Sequence, residues 1–212
     1  MPLWRGIPWN HNLHYHDLVL RSIPPHCSRS LDAGCGAGQL TRKLALHCDE
    51  VVAIDINPAT LSRARATGTP CQNAMDARIT YITGDVMTHP FPAASFDFIT
   101  CVAALHHLPL KPALVRFRDL LKPGGVLAIV GLYRNHTLED YAWGAAAMPI
   151  SRILRFLHGD AAVNAPVQDP RETLHEIRDA AQKLLPGALC KRHLFFRYSL
   201  YWRSPIARRA QP

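Results

Sequence analysis

The sequence predicts an α/β fold in which helices cover both faces of a parallel sheet. Short apolar stretches alternate along the chain with segments of helical spacing, and this alternation is typical of parallel strands joined by right-handed crossovers. The chain has 212 residues, 48% of them hydrophobic, and contains no internal repeat. That length supports one domain with a full core rather than two domains.

Five buried strands are predicted before residue 134. In chain order they are RSLDAG, EVVAID, RITYITGD, SFDFITCVAAL and VLAIVGLY. Continuous apolar runs such as EVVAID are typical of strands that are covered on both faces. A KPGG turn is expected just before the fifth strand. Near the C-terminus, the aromatic alternation of CKRHLFFRYSLYWRS predicts two more strands, broken near Tyr198.

Helices are predicted between these strands and after them. Leu40, Leu44 and Ala45 have the spacing of a helix face. Asn57 and Pro58 begin the following helix, with Asn as the cap and Pro in the first turn. The other predicted helices cover residues 14–22, 111–121, 137–158 and 170–185.

The stretch LDAGCGAG joins the first strand to its helix and indicates a ligand. Glycines at 34, 36 and 38 permit a sharp turn and let backbone amides approach a bound molecule. A dinucleotide site has the pattern G-x-G-x-x-G, but here the third glycine comes one residue early. Asp32 would repel a pyrophosphate and suits a cationic amino group. The ligand is therefore expected to carry an ammonium and no phosphate, a description that S-adenosylmethionine fits.

This motif and four later ones resemble those of class I S-adenosylmethionine-dependent methyltransferases, in their small-molecule branch. Asp55, which follows Gly34 by 21 residues, matches the acid that holds the ribose hydroxyls. Asp85 in TGDV is similar to the acid that contacts the adenine amino group. FDFITCVAALHHLP resembles the fourth-strand motif beside the methionine moiety, and LLKPGGVLAIVG the turn and strand after it. The resemblance is strong over residues 30–134 and weak at both ends.

The resemblance implies a Rossmann-like, doubly wound sheet of seven strands, parallel except for the last, with helices on both faces. It implies one methyltransferase domain over 1–212, comprising an N-terminal cofactor-covering segment (1–28), a cofactor-binding core (29–134), a short lid insert (135–170), and a C-terminal helix and strands (171–205). The implied cofactor is S-adenosyl-L-methionine, with S-adenosyl-L-homocysteine as product. The residues expected at the cofactor are Asp32, Ala33, Gly34, Cys35, Gly36, Gly38, Asp55, Ile56, Asn57, Gly84, Asp85, Val86, Cys101, Val102, His107 and Tyr15.

His106 and His107 follow the fourth strand, where open parallel sheets hold their ligands. A histidine there can accept a proton near neutral pH, and His107 is preferred over His106 for its proximity. The alternative is that both rings pack to frame the cofactor, since relatives with varied chemistry share this pair. Asp32 and Asp55 are expected to bind and not to catalyse, because methyl transfer from a sulfonium needs mainly alignment.

The N-terminal histidines are not expected to form a metal site. His11, His14 and His16 lack an acidic or thiolate companion at close spacing. The segment is expected to fold over the cofactor, with Tyr15 or a neighbouring histidine near its methionine end. In the lid insert, three side chains could line a pocket, but packing in the core is preferred; they are Tyr141, Trp143 and Met148.

The positive net charge is consistent with a second function, the methylation of RNA or another nucleic acid. The formal net charge is +8, and basic proteins attract polyanions. The basic residues near the C-terminus are Lys191, Arg192, Arg197, Arg203, Arg208 and Arg209. This function is not favoured, because CVAALHH stands where amino-group nucleic-acid methylation has N- or D-P-P-Y/F. A third possibility is a non-catalytic module that binds S-adenosylmethionine.

The favoured function is transfer of a methyl group to an oxygen, nitrogen or carbon nucleophile of a small molecule. The expected partner is that acceptor, not nucleic acid or a membrane, and the expected state is a monomer or homodimer. Six cysteines without a CxxC pair, and no signal peptide or long apolar run, indicate a cytoplasmic protein.

Overall fold

A computed structural model describes residues 15–67, 78–137, 169–194 and 196–206. The strands are β1 (Arg29–Ala33), β2 (Glu50–Asp55), β3 (Ile79–Thr83), β4 (Phe96–Val102), β5 (Leu121–Leu132), β6 (Leu189–His193) and β7 (Arg197–Arg203). The helices are α1 (His16–Leu20), α2 (Gln39–Leu44), α3 (Pro58–Ala66), α4 (Leu110–Leu120) and α5 (Leu174–Leu184), with a 3₁₀ turn at Leu105–His107.

The strands form a seven-stranded sheet in the order β3-β2-β1-β4-β5-β7-β6. Neighbours from β3 to β5 are parallel, and β7 runs antiparallel to both β5 and β6. The predicted sheet, parallel except for its last strand, is confirmed. Successive strands are added on one side of β1 up to β3 and on its other side from β4 onward. The carboxyl ends of β1 and β4 therefore border the crevice in which such sheets bind ligands.

The core has a layer on each face of the sheet, because successive side chains along a strand point to opposite faces. On one face Leu31 and Leu127 pack with the apolar sides of α4 and α5. On the other face Val51 and Phe98 pack with α1 and α2. The predicted covering of both faces by helices is therefore confirmed.

Local capping decides where two helices begin. The Asn57 side chain accepts hydrogen bonds from the backbone amides of Ala59 and Thr60, so α3 begins where the sequence predicts. Helix α5 begins at Leu174 rather than at residue 170, since Thr173 and Glu176 form a reciprocal capping box. Such a box fixes the first turn by satisfying two amides that lack partners within the helix.

KPGG is not a turn that precedes the fifth strand; it lies inside β5. Phe96 pairs with Leu121 and Phe98 pairs with Val126, so β5 has extra residues opposite one step of β4. This bulge includes Gly124, whose φ is +80°. The sequence correctly marks an irregular backbone here, but the pairing with β4 continues across it.

β6 ends at His193 and β7 begins at Arg197, so the break between the last two strands precedes Arg197 and does not lie at Tyr198. Tyr198 is 1% exposed and pairs with Gly131 of β5 and Arg192 of β6. Phe196 has a φ of +56° and is exposed, as suits a residue at a turn. Burial of the Tyr198 ring in the core keeps that residue within β7.

Several predictions fall outside the described residues. They concern the helix over 137–158 beyond its first residue, and the side chains of His11, His14, Tyr141, Trp143, Met148, Arg208 and Arg209. A search of the described helices for one with the length and apolar character of a membrane span finds none.

Candidate active site

The glycine turn lies at the carboxyl end of β1 with three left-handed backbone positions. The φ angles are +74° at Gly34, +54° at Gly36 and +72° at Gly38. The Gly34 amide donates to the Ile54 carbonyl at 2.8 Å. A Cβ on Gly34 would lie 2.4 Å from the Cβ of Ala104, whereas a Cβ on Gly36 would have no atom of the described residues within 4 Å. Gly34 is therefore required for packing against the segment after β4, and Gly36 has free space on its side facing the described residues.

Asp55 joins the glycine turn to the end of β2. One of its carboxylate oxygens accepts from the Gly36 amide at 2.9 Å, and the other accepts from the Asn57 amide at 2.8 Å. Each oxygen keeps a further lone pair for a ligand hydroxyl. Ile56, the next residue, is 73% exposed. The structure thus brings Asp55, Asn57 and Gly36 together, as the sequence predicts.

Asp32 is a buried carboxylate on β1. It is 2% exposed and accepts a hydrogen bond from the Thr41 hydroxyl at 2.6 Å. Burial raises the pKa of Asp32 from 3.8 to about 6; the Thr41 hydrogen bond opposes this rise and the negative charge of Asp55 adds to it. A cation beside Asp32 would lower the pKa again, because it would favour the charged form.

The loop after β3 meets the end of β2. The Gly84 amide donates to the Asp55 carbonyl at 3.0 Å. One oxygen of Asp85 accepts from the Met87 amide at 2.9 Å and so caps the loop. Asp85 is partly exposed, whereas Val86 is 6% exposed and packs into the core.

Other predicted site residues supply buried walls. Ala33 and Cys101 are buried, and Val102 is half-buried. Burial raises the pKa of the Cys35 thiol well above its ordinary value and that of Cys101 to about 12, and the charge of Asp32 adds to both effects. Both thiols are therefore protonated near neutral pH and are poor nucleophiles.

The two histidines after β4 differ in environment. Their ring centroids are 4.0 Å apart, but His106 is 9% exposed while His107 is exposed. The pKa of His106 is lowered to about 4, mainly by burial and also by the neighbouring His107 and Arg197. His106 is thus neutral at pH 7 and a weak base. Its Nδ1 atom is buried and has no hydrogen-bond partner within the described ranges.

Tyr133, Arg192 and Arg197 were not recognised from the sequence as part of a site, whereas Tyr15 and His106 were. We call these five residues the basic cluster. The Tyr15 hydroxyl donates to the Leu194 carbonyl at 2.8 Å, and the Arg192 guanidinium lies 5.8 Å from the centre of the Tyr133 ring. Arg197 is 9% exposed, so it does not belong to a solvated basic tail. The expected antiparallel direction of the last strand was the one sequence signal for the position of Arg197. That direction brings Arg197, the first residue of β7, to the carboxyl edge of the parallel strands.

The described side chains include no group of three His, Cys, Asp or Glu residues that could hold a metal ion. His16, the described member of the N-terminal histidine group, is 4% exposed. Burial lowers the pKa of His16 to about 4. His16 therefore packs against the core as a neutral ring.

Comparison with known proteins agrees with this arrangement. The family described as "Methyltransferase domain" matches residues 31–129. An uncharacterized methyltransferase of Mycobacterium tuberculosis is 35% identical over 201 residues, which cover 94% of this chain and 98% of the relative. The chain belongs to the class I S-adenosylmethionine-dependent methyltransferases. The residues that match the family include the glycine turn, Asp55 and Asp85.

Two further relatives of this methyltransferase differ in coverage. A ubiquinone biosynthesis O-methyltransferase of Xylella fastidiosa is 36% identical over 126 residues, or 59% of this chain and 49% of that protein. The N-methyltransferase NodS from Bradyrhizobium japonicum, solved in complex with S-adenosyl-L-homocysteine, has a TM-score of 0.59 and 21% identity. The likeness to NodS covers 91% of this chain and 87% of NodS, and it shows the shared fold.

Proposed function

We propose that this methyltransferase binds S-adenosylmethionine at the carboxyl ends of β1 to β4 and methylates an oxygen, nitrogen or carbon atom of a small molecule. The observation that carries the proposal is the junction of Gly36 and Asp55. None of the atoms in the described part of the chain lies within 4 Å of a Cβ placed on Gly36, and the Asp55 carboxylate at the Gly36 amide keeps acceptor capacity. That combination suits a ribose, which offers hydroxyl donors and needs close approach of the backbone.

The other acids fit the remaining groups of the cofactor. Asp32 is buried, and the described groups that act most on its pKa are a hydroxyl and another carboxylate. An ammonium group would balance its charge, so Asp32 would hold the amino acid end. Asp85 would receive the adenine amino group. When bound, the cofactor supplies a methyl group on a positively charged sulfur, which is an activated leaving group.

The chain then has to orient the acceptor and exclude water. Gly34 and Ala104 meet closely and form one side of the crevice. Where the nucleophile must lose a proton, His107 is the proposed base, because it is accessible and His106 is a weak base. His106 is proposed to frame the acceptor side of the site.

The segment boundaries predicted from the sequence belong to this proposal. Residues 1–28 are proposed to cover the cofactor and residues 135–170 to border the acceptor. The buried Tyr15 supports the first assignment, since its hydroxyl fastens the N-terminal region to Leu194. Removal of residues 1–14, which leaves Tyr15 in place, is expected to weaken cofactor binding in a calorimetric titration. Unchanged affinity would contradict the covering role.

The main test is calorimetric titration of S-adenosylmethionine and S-adenosylhomocysteine into the wild type, Asp55→Ala and Asp119→Ala. Asp119 is an exposed acid on α4, away from the crevice, and serves as the control. Loss of a charged acceptor predicts that Asp55→Ala weakens binding by about tenfold to a hundredfold, while Asp119→Ala has no effect. Equal affinity for wild type and Asp55→Ala would refute the ribose assignment. Methylation of RNA, but not of small acceptors, would refute the substrate class.

A further inference from the structure

Arg116 on α4 contacts the loop after β3, which carries Asp85. Its Nε atom donates a hydrogen bond to the Val86 carbonyl at 3.4 Å, and its Nη2 atom donates to the His89 carbonyl. Arg116 is half-buried, so its guanidinium has exchanged part of its water for these contacts. The contacts matter to the reaction if the proposed function holds, since Asp85 then receives the adenine amino group.

The peptide group between Val86 and Met87 connects Arg116 to the Asp85 carboxylate. Its carbonyl accepts from Arg116, and its amide donates to a carboxylate oxygen of Asp85 at 2.9 Å. A trans peptide is planar, and its C=O and N–H point in opposite directions. Arg116 and the Asp85 carboxylate therefore hold one rigid unit from opposite sides. Polarisation of the peptide strengthens the hydrogen bonds at both ends.

The second contact of Arg116 holds the far end of the same turn. The His89 amide donates to the Asp85 backbone carbonyl at 2.9 Å, and the His89 carbonyl accepts from the Phe91 amide at 2.8 Å as well as from Arg116. Phe91 is 8% exposed and packs in the core, with its ring centroid 4.3 Å from that of His89. Both loop residues that contact Arg116 are thus linked to Asp85 by a further hydrogen bond.

Helix α4 gives this side chain a firm support, because Leu114 and Phe117 are fully buried in the core. A guanidinium presents its donors in a rigid fork, so one side chain can hold two carbonyls in fixed positions. We propose that Arg116 is a positioning residue, which orients the Asp85 carboxylate through the peptide between Val86 and Met87. It thereby sets the preference of the cofactor site for adenine over a base that lacks the amino group.

The test compares S-adenosylhomocysteine with S-inosylhomocysteine, in which an oxygen replaces the amino group of the base. Both are titrated calorimetrically into the wild type, Arg116→Ala and Arg116→Lys. Arg118→Ala is the matched control, because Arg118 lies on the same helix and pairs with the exposed Asp119. Urea unfolding of each variant reports its stability separately.

The wild type is expected to bind S-adenosylhomocysteine at least about tenfold more tightly than S-inosylhomocysteine, since the oxygen of the latter repels a carboxylate. Arg116→Ala should lose about tenfold of the affinity for S-adenosylhomocysteine and little of that for the analogue, so the preference falls. Arg116→Lys should lie between the two, and Arg118→Ala should equal the wild type. If Arg116→Ala does not fold, Arg116→Lys supplies the comparison.

A double-mutant cycle shows whether Arg116 acts through Asp85. In an Asp85→Ala background no carboxylate remains to be oriented. Arg116→Ala should then cost little further affinity for S-adenosylhomocysteine.

Four results would overturn the proposal. They are equal binding of the two ligands by the wild type, an unchanged preference in both Arg116 variants, an equal loss of affinity for both ligands, and the same loss with and without Asp85. An equal loss for both ligands is what a merely structural role predicts. Failure of the proposed function differs, because the wild type would then bind neither ligand.

Discussion

Replacing Asp32 with asparagine is expected to stabilise the ligand-free protein at neutral pH and to weaken cofactor binding. Burial raises the pKa of Asp32 from 3.8 to about 6. At about 1.36 kcal/mol for each pH unit, this difference corresponds to about 3 kcal/mol. Asparagine has nearly the same shape, and its oxygen can accept the hydrogen bond from Thr41. The charge is therefore the main property that changes.

The direction of the pH dependence follows from proton binding. Between pH 3.8 and about 6, the folded protein keeps a proton on Asp32 that the unfolded chain has already lost. The free energy of unfolding contributed by this group therefore falls as the pH rises through that window. Above it the full penalty is present, and below it both states are protonated. Asp32→Asn should then gain most at neutral pH and nothing in acid.

Urea unfolding of wild type and Asp32→Asn, followed by circular dichroism from about pH 4 to about pH 8, measures this difference. Asp119→Asn, an exposed acid replaced in the same way, is the control. Saturating S-adenosylmethionine should favour the wild type selectively, since only a carboxylate gains from the ammonium. A stability difference that does not vary with pH, or a wild type more stable than Asp32→Asn at neutral pH, would refute the reasoning.

The remaining predictions concern the glycine turn and one helix cap. Gly34→Ala places a Cβ 2.4 Å from that of Ala104, so we expect a loss of about 1–3 kcal/mol in chemical unfolding. Gly36→Ala and Gly187→Ala both add a Cβ in open space at positive φ. Similar stability losses are expected for both variants, but calorimetry should show weaker S-adenosylhomocysteine binding for Gly36→Ala alone. Equal binding by the two variants would contradict the proposal that Gly36 lies against the cofactor. Thr173→Ala removes the capping box and should cost about 1 kcal/mol in urea unfolding with cofactor affinity unchanged.

Local patterns predicted the strands and several of the site residues. The alternation of apolar runs and helical spacing depends on periodicity, and the glycine turn and the Asn57 cap depend on the conformations that short segments can adopt. The resemblance to the family predicted that Asp55 lies at the cofactor, and the structure shows its carboxylate at the Gly36 amide. The carboxylate of Asp85, the acid in the loop after β3, accepts a hydrogen bond from the Met87 amide of the same loop.

The sequence by itself determined the alternating elements, the glycine turn with its acids, and the expectation of an ammonium-bearing cofactor. Tertiary structure decided which polar groups lose contact with water and which distant residues meet. Asp32 becomes a destabilised carboxylate because helix α2 and the sheet bury it. Arg197 reaches the carboxyl edge of the sheet, where its charge acts on His106 and Tyr15, because β7 inserts antiparallel between β5 and β6. Strand order and burial depend on long-range packing, which no short window of sequence contains.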